Sequence, residues 1–215
     1  MLTLDGWVRV PGLRHGFLDR HDSADDVTAG LPLVLPRQVH GTTVAVAPVG
    51  ERPEADAVVT GSPGLLVGVV TADCVPVLLV DRRRKLAAAV HAGWRGAAAG
   101  VLEAAVERLA ELFGSEPSAL EAAIGPAIGG CCYEVGPEVR AAFEARTGRV
   151  IDSAWLPGPR REHVDLRIAA RCLLAAAGVG AIAILGGCTA CDASHHSYRR
   201  DGARVGRQLS FVGWS

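Results

Sequence analysis

Apolar positions crowd between residues 65 and 90. Leu65–Thr71, Val75–Asp81 and residues 86–90 are nearly continuous apolar runs of strand length, and the last two flank a turn carrying the densest basic run, Arg83-Arg84-Lys85. Runs of this kind belong to strands covered on both faces, which calls for helices or a second sheet above them. Upstream, residues 43–49 alternate apolar with small side chains and residues 55–60 are β-rich, so two more strands are expected. Residues 7–18 read as a short strand and turn, and the polar stretch 19–30 as a loop. Downstream, Val101, Ala105, Leu109, Leu112 and Phe113 recur at helical spacing, which predicts a helix over 97–113 closed by Gly114. Asp165 stands as the N-cap of a second helix over 166–177, where Leu166, Ala170, Leu173 and Leu174 share a face and Gly178 is the stop. A weaker helix is expected over 137–146, with further strands at Leu120–Ile124, Val164 and 181–185. Strands and helices mix without regular alternation. The expected fold is therefore a layered α+β (α/β) domain with mixed sheets, occupying residues 1–215 as one unit.

Composition narrows the partners. The chain is 49% apolar with a net charge of −1, so no basic face announces a nucleic acid. No segment approaches 18 uninterrupted apolar residues, so no membrane span is expected. The start, MLTLDGWVRVPG, lacks the basic and apolar regions of a signal peptide. A core of this size does not need disulfides, and the six cysteines read as reduced thiols in a cytoplasmic protein.

Three segments put a soft or borderline metal ligand beside glycine or proline at the end of an expected strand. They are Gln38-Val-His40-Gly, Thr71-Ala-Asp73-Cys74-Val-Pro76 and His91-Ala-Gly-Trp94-Arg95-Gly96. Catalytic zinc commonly takes three protein ligands and leaves the fourth position open. One cysteinate and two imidazoles, Cys74 with His40 and His91, fit that count. They stand 34 and 17 residues apart, so they must come from separate strand ends meeting at one rim. Gly93 and Gly96 allow close backbone approach, and Arg95 at a helix start would welcome an anion such as phosphate. Asp73 is a candidate to handle a proton or orient a ligand.

Two other cysteine groups compete for attention. Cys188-Thr-Ala-Cys191, followed by His195 and His196, has the outline of a structural zinc half-site. It lacks a second half within the usual distance and reads as one packing and one loop cysteine. Adjacent cysteines rarely share a metal, so for Cys131-Cys132 burial should explain at least one. The glycines before them suggest a backbone that approaches a ligand edge near Tyr133.

At this point the motifs are similar to those of a known family. HGF at 15–17, RQVHG at 37–41, ADAVVT at 55–60, GVVTADCVPVLLVD at 68–81, AAVHAGWRGAAAG at 88–100, IGPAIGGCCYEVGPEV at 124–139 and CT…SYRRDGARVGRQ at 188–208 resemble the laccase-domain, or multicopper polyphenol oxidase, family, later described as purine nucleoside phosphorylases. The resemblance spans about residues 14 to 213. It implies two mixed sheets flanked by helices in α/β/β/α layers, and zinc held by His40, Cys74 and His91. It implies phosphorolysis of adenosine, inosine, guanosine and methylthioadenosine, with adenosine deamination as a side reaction and a role in editing peptidoglycan precursors in bacterial members. Catalytic candidates are then Cys74, Asp73 and His91, and candidates for contacting nucleoside and phosphate are Arg20, Gln38, Arg95, Tyr133 and Arg199. Two departures stand out. The stretch between HGF and QVHG lacks the usual glycine pair and Asn-Leu, and His195-His196 replaces an aromatic pair.

Rival readings use the same residues. A multicopper oxidase needs many histidines, usually in His-x-His pairs, and the chain has seven histidines and no such pair. A cytidine-type deaminase needs His-x-Glu with Pro-Cys-x-x-Cys, and neither occurs. A hydrolase with Cys74 as nucleophile and His40 or His91 as base stays open, as does a zinc module without a reaction.

Overall fold

A computed structural model describes residues 1–28, 30–48 and 52–215. Its elements run α1 (Asp5–Val8), β1 (Leu13–Phe17), α2 (Ala24–Thr28), β2 (Leu33–Val34), β3 (Val44–Val46), β4 (Ala57–Thr60), β5 (Leu65–Thr71), β6 (Val75–Asp81) and β7 (Leu86–Ala92). There follow α3 (Trp94–Ala99), α4 (Val101–Phe113), β8 (Leu120–Ile124), α5 (Pro137–Thr147), β9 (Trp155–Leu156), β10 (His163–Val164), α6 (Leu166–Ala176), β11 (Ala181–Ile184), α7 (Tyr198–Asp201) and β12 (Gln208–Trp214).

The long apolar runs fall in the middle of two mixed sheets. A six-stranded sheet has the order β11-β8-β6-β7-β4-β3, and a four-stranded sheet the order β1-β12-β5-β2. In each, one or both outer strands run parallel to their neighbour and the inner pairs are antiparallel. One face of the larger sheet buries Val59, Val77, Leu79 and Val90 under Leu102, Leu109, Leu173 and Leu174 of α4 and α6. Its other face packs Val58, Leu78, Val80 and Ala89 against Val67, Val69, Val212 and Trp214 of the smaller sheet. Beyond that, Leu66, Leu209 and Phe211 are covered by Val27, Leu31 and Leu35, so the fourth layer is thin.

Several elements depart from the sequence reading. The helix expected over 97–113 begins three residues earlier and is cut at Gly100, which sits at φ +105°. Arg146 lies against that glycine and donates to the carbonyls of Ala98 (2.6 Å) and Ala97 (3.2 Å), satisfying acceptors that an unbroken helix would use. The strand expected within 7–18 is preceded by a short helix carrying buried Trp7, and the loop over 19–30 contains α2. Val49, the expected end of β3, lies outside the described residues. β12 was not anticipated. It occupies the centre of the smaller sheet, but Gln208, Ser210 and Gly213 interrupt its apolar run, and no period of two or of unbroken apolar residues emerges. The basic turn behaves as expected: Asp81 accepts from the amides of Arg83 and Arg84 while those side chains stay exposed.

His15 on β1 shows what burial does to a titratable group here. It is 6% exposed, accepts from the Leu4 amide at 2.9 Å, and is driven down to about 4 by desolvation. The unfolded chain therefore binds a proton that the folded chain refuses between about pH 6.5 and 4. Stability should fall across that window as pH drops, by up to about 1.4 kcal/mol per pH unit from this residue alone. Denaturant titrations at pH 7 and pH 5 should show a smaller loss in His15→Asn than in the natural chain.

Candidate active site and metal centre

Antiparallel pairing brings the three distant ligands together. Cys74 immediately precedes β6 and His91 lies near the end of β7, and the pairing of Pro76 with His91 sets those two strand ends side by side. The His40 loop is carried by Asp56, which stands just before β4, the other neighbour of β7. Asp56 is fully buried and accepts from the amides of Val39 (3.2 Å), His40 (2.9 Å) and Gly41 (2.6 Å). It also meets His91 Nδ1 at 2.8 Å, and its own carbonyl accepts from the His91 amide at 2.7 Å.

The ligand atoms of His40, Cys74 and His91 all lie within 4.8 Å of one another, and Cys74 Sγ is 3.9 Å from His40 Nε2. The imidazoles meet edge to face with centroids 4.8 Å apart. Because Asp56 takes Nδ1 of His91, Nε2 is left for the cluster, which is how ligating histidines are usually oriented. One thiolate, two imidazoles and a buried carboxylate behind one of them form a donor set that suits a metal of the zinc class. Electrostatics agree with shared occupancy. Burial opposes ionisation of Cys74, but hydrogen bonds and charge from His40 and His91 outweigh it and bring the thiol down to about 6. Burial likewise opposes charging of His91, but Asp56 and Cys74 lift it to about 9. His40 and Asp73 sit at φ +61° and +87°, so two of the three described non-glycine residues in the left-handed region belong to this site.

Gly93 has ordinary backbone angles, φ −68° and ψ 161°, yet a side chain there would crowd two of the ligands. A Cβ would meet His40 Cδ2 at 3.0 Å and Cys74 Sγ at 3.1 Å. Gly93→Ala should therefore leave the fold intact while pushing two ligands apart. Metal affinity is expected to fall about 10–100-fold, as when a ligand's orientation is disturbed, and a competition titration with a chromogenic chelator would show it.

The cluster opens into a cavity of about 640 Å³. Gln38, Asp73, Arg95, Tyr133 and Arg199 line it, together with Trp94, Tyr198, Arg37, Arg52 and Arg207, whose part the sequence had not suggested. Gln38 is spent on the backbone: its amide donates to Val70 O at 2.8 Å and accepts from Val70 N at 2.9 Å. Both oxygens of Asp73 are engaged, one by the Thr189 hydroxyl at 2.6 Å and the other by the Arg199 amide at 2.7 Å. Asp73 thus holds the Arg199 segment in place rather than standing free as a base. Arg199 lies over the Tyr133 ring at 5.0 Å and donates to the carbonyls of Cys132 and Glu134. Burial pushes the Tyr133 phenol up to about 12, so it remains a neutral donor. Arg95 stacks on Trp94 at 4.4 Å, and among the described residues its guanidinium has no carboxylate partner.

Arg20 requires correction. It lies outside this cavity, on a separate shallow depression with His196, and its guanidinium is used by the His195 carbonyl and Asp201. His195 and His196 likewise do not reach the main cavity wall. The cysteine reading changes as well. Cys131 is exposed and Cys132 half-buried, so burial explains neither fully, and both meet Cys188 and Cys191 in one cluster. Asp56 is the functional residue that sequence reasoning missed. The only available signal was an acidic residue inside the apolar run of ADAVVT.

No helix of the described chain is long and apolar enough to cross a membrane. Comparison with known proteins then places the site in context. The model of the multi-copper polyphenol oxidoreductase laccase family matches residues 19–215. The chain is 40% identical over 176 residues to a purine nucleoside phosphorylase of Deinococcus radiodurans, covering 82% of this chain and 68% of that one. It is 45% identical over 178 residues to purine nucleoside phosphorylase PA4543 of Pseudomonas aeruginosa, covering 81% and 71%. It is 40% identical over 197 residues to adenosine deaminase RL5 of an unknown prokaryotic organism, covering 84% and 74%. Among solved structures, YlmD of Geobacillus stearothermophilus superposes with a TM-score of 0.83 at 28% identity, covering 95% of this chain and 93% of that one. YfiH of Bacillus licheniformis does so at 0.80 and 33%, covering 85% and 74%. With the family model spanning nearly the whole chain, this protein belongs to the multi-copper polyphenol oxidoreductase laccase family.

Proposed function

We propose that the protein is a zinc-dependent purine nucleoside phosphorylase, acting on adenosine, inosine, guanosine and methylthioadenosine, with adenosine deamination as a second reaction. The observation that carries this reading is the cavity itself: a His40-Cys74-His91 cluster at one end, with arginines and aromatic rings on the walls. Its volume of about 640 Å³ suits a small ligand with a flat base and a charged partner. The relatives named phosphorylase and deaminase support an enzyme of this kind. Two histidines in the cluster are too few for a multicopper centre, whatever the family's name.

His40, Cys74 and His91 would hold the zinc, which when bound supplies Lewis acidity to a phosphate or water oxygen. The chain's own residues do the rest. Arg95 and Arg199 offer positive charge to phosphate, and their stacking on Trp94 and Tyr133 fixes where that charge sits. The aromatic walls present flat apolar faces to a purine. Phosphorolysis then breaks the bond between ribose carbon and purine nitrogen and forms one from that carbon to an oxygen of hydrogen phosphate, the proton that the phosphate gives up going to the purine nitrogen. The positioning of both partners in one enclosed space is what lowers the barrier.

A thiol hydrolase is the second reading, favoured by a Cys74 thiol drawn down to about 6 beside two imidazoles. Metal removal separates the two. Dialysis against a strong chelator should abolish adenosine consumption, and added zinc should restore it. Full activity in the stripped protein, lost on alkylation of Cys74, would establish the hydrolase instead.

A further inference from the structure

A second cluster lies in residues that the nucleoside site does not use as ligands. Cys131 and Cys132 follow β8, and Cys188 and Cys191 follow β11. These strands are parallel neighbours, so their C-terminal ends carry the two loops side by side, and a bridge between Ala127 and Cys188 continues the pairing into them. All four sulfur atoms lie within 4.8 Å of one another, with Cys132 and Cys131 at 3.3 and 3.6 Å from Cys191. A tetrahedral zinc with thiolates at about 2.3 Å requires sulfur–sulfur edges of about 3.8 Å, which these separations bracket.

The backbone around the sulfurs is arranged for negative charge. Gly129 donates its amide to Cys188 Sγ at 3.2 Å. The turn is closed by the Cys191 amide on the Cys188 carbonyl at 3.1 Å. Gly129 is confined as well. A Cβ there would meet Cys188 Cβ at 3.2 Å, Cys131 Sγ at 3.4 Å and Arg167 at 3.0 Å. The last contact shows a guanidinium beside the cluster, held by Asp165 at 2.7 Å.

We propose that Cys131, Cys132, Cys188 and Cys191 form a second metal site, a closed tetrathiolate centre for a divalent ion of the zinc class. With four protein ligands no position is left for substrate, so the role is structural. Its place in the fold states what it holds. The Cys132 carbonyl accepts from Arg199 at 3.0 Å, Tyr133 follows Cys132 directly, and Thr189, between the two ligands of the other loop, donates to Asp73. The ion would fasten the loop that carries Ile128 and Tyr133 in the cavity wall to the loop whose Thr189 holds Asp73.

The test is metal stoichiometry under reducing conditions, read by elemental analysis and by cobalt(II) substitution. The natural chain should hold about two zinc ions, and both Cys74→Ala and the double variant Cys188→Ser/Cys191→Ser about one. Cobalt in Cys74→Ala should give the intense near-ultraviolet thiolate charge-transfer and strong red ligand-field bands of a sulfur-only tetrahedral site. If the double variant fails to fold, the cobalt titration of the natural chain decides, since its sulfur-rich spectrum should account for a second equivalent. A natural chain whose titration contains no sulfur-only equivalent, or a folded Cys74→Ala that takes up no cobalt, overturns the proposal, as does mass spectrometry showing a disulfide between Cys132 and Cys191 in the freshly isolated protein. Neither result touches the His40-Cys74-His91 centre, whose metal is counted separately in the double variant.

Discussion

His91→Ala is expected to remove the metal of the His40-Cys74-His91 cluster and to end adenosine turnover. The loss should exceed the roughly 10–100-fold typical of disturbing a ligand's orienting partner, because a ligand itself is deleted. His91 is 3% exposed, on a strand end fixed by pairing with Pro76, and its ring is set by Asp56. Among the described residues, no further Cys, His, Asp or Glu joins His40 and Cys74 in that cluster. The fold should survive, since Asp56 keeps three backbone donors after the imidazole is gone. The variant should therefore still unfold cooperatively, but at a lower midpoint, since a buried pair is broken, while losing one metal equivalent and its activity. A variant with full metal content and normal turnover would remove His91 from the site.

Asp56→Ala should have the larger effect on stability. The side chain is fully buried and serves four donors, three amides and the His91 ring. Alanine would leave all four unpaired in the interior, where each orphaned donor costs about 1–3 kcal/mol and a broken buried pair about 3–5. These costs overlap, and a net loss of about 3–5 kcal/mol is expected, visible as a lower denaturant midpoint at unchanged slope. Asp56→Asn should recover part of it through its carbonyl oxygen but still weaken metal binding, since its NH2 group would face donors where the second carboxylate oxygen stood and the charge beside His91 is gone. Burial works against ionisation of Asp56, but the His91 ring and the amides outweigh it and hold the carboxyl below its ordinary 3.8. This contribution is therefore complete above that value and fades as pH falls through the lower folded one. Equal midpoints for Asp56→Ala and the natural chain would contradict this account.

What the sequence reveals and conceals follows from range. β5 and β6 were found to the residue because buried central strands are written as nearly unbroken local apolar runs, and β8 was found although Glu121 interrupts its run. The α6 cap was visible because Asp165 acts on amides two and three residues away. β12 escaped because its burial comes from two other layers, not from its own pattern. The break at Gly100 escaped because Arg146, far along the chain, completes it. The same division holds in the site. The metal trio could be named from ligand chemistry and motif resemblance, and the structure brings its atoms together. Asp56 contributes through amides of a loop 15 to 17 residues away, and nothing local marks it. Four cysteines in two unremarkable pairs become a cluster only when β8 and β11 align in parallel.

A purine nucleoside and phosphate are expected to meet in this cavity at the His40-Cys74-His91 centre. The most direct test is chromatography of adenosine incubated with the zinc-loaded protein, with and without inorganic phosphate. The account predicts adenine and ribose 1-phosphate only when phosphate is present, with inosine as a slower product that does not require it. Adenosine recovered unchanged in both incubations, from protein shown to contain the metal, would contradict it.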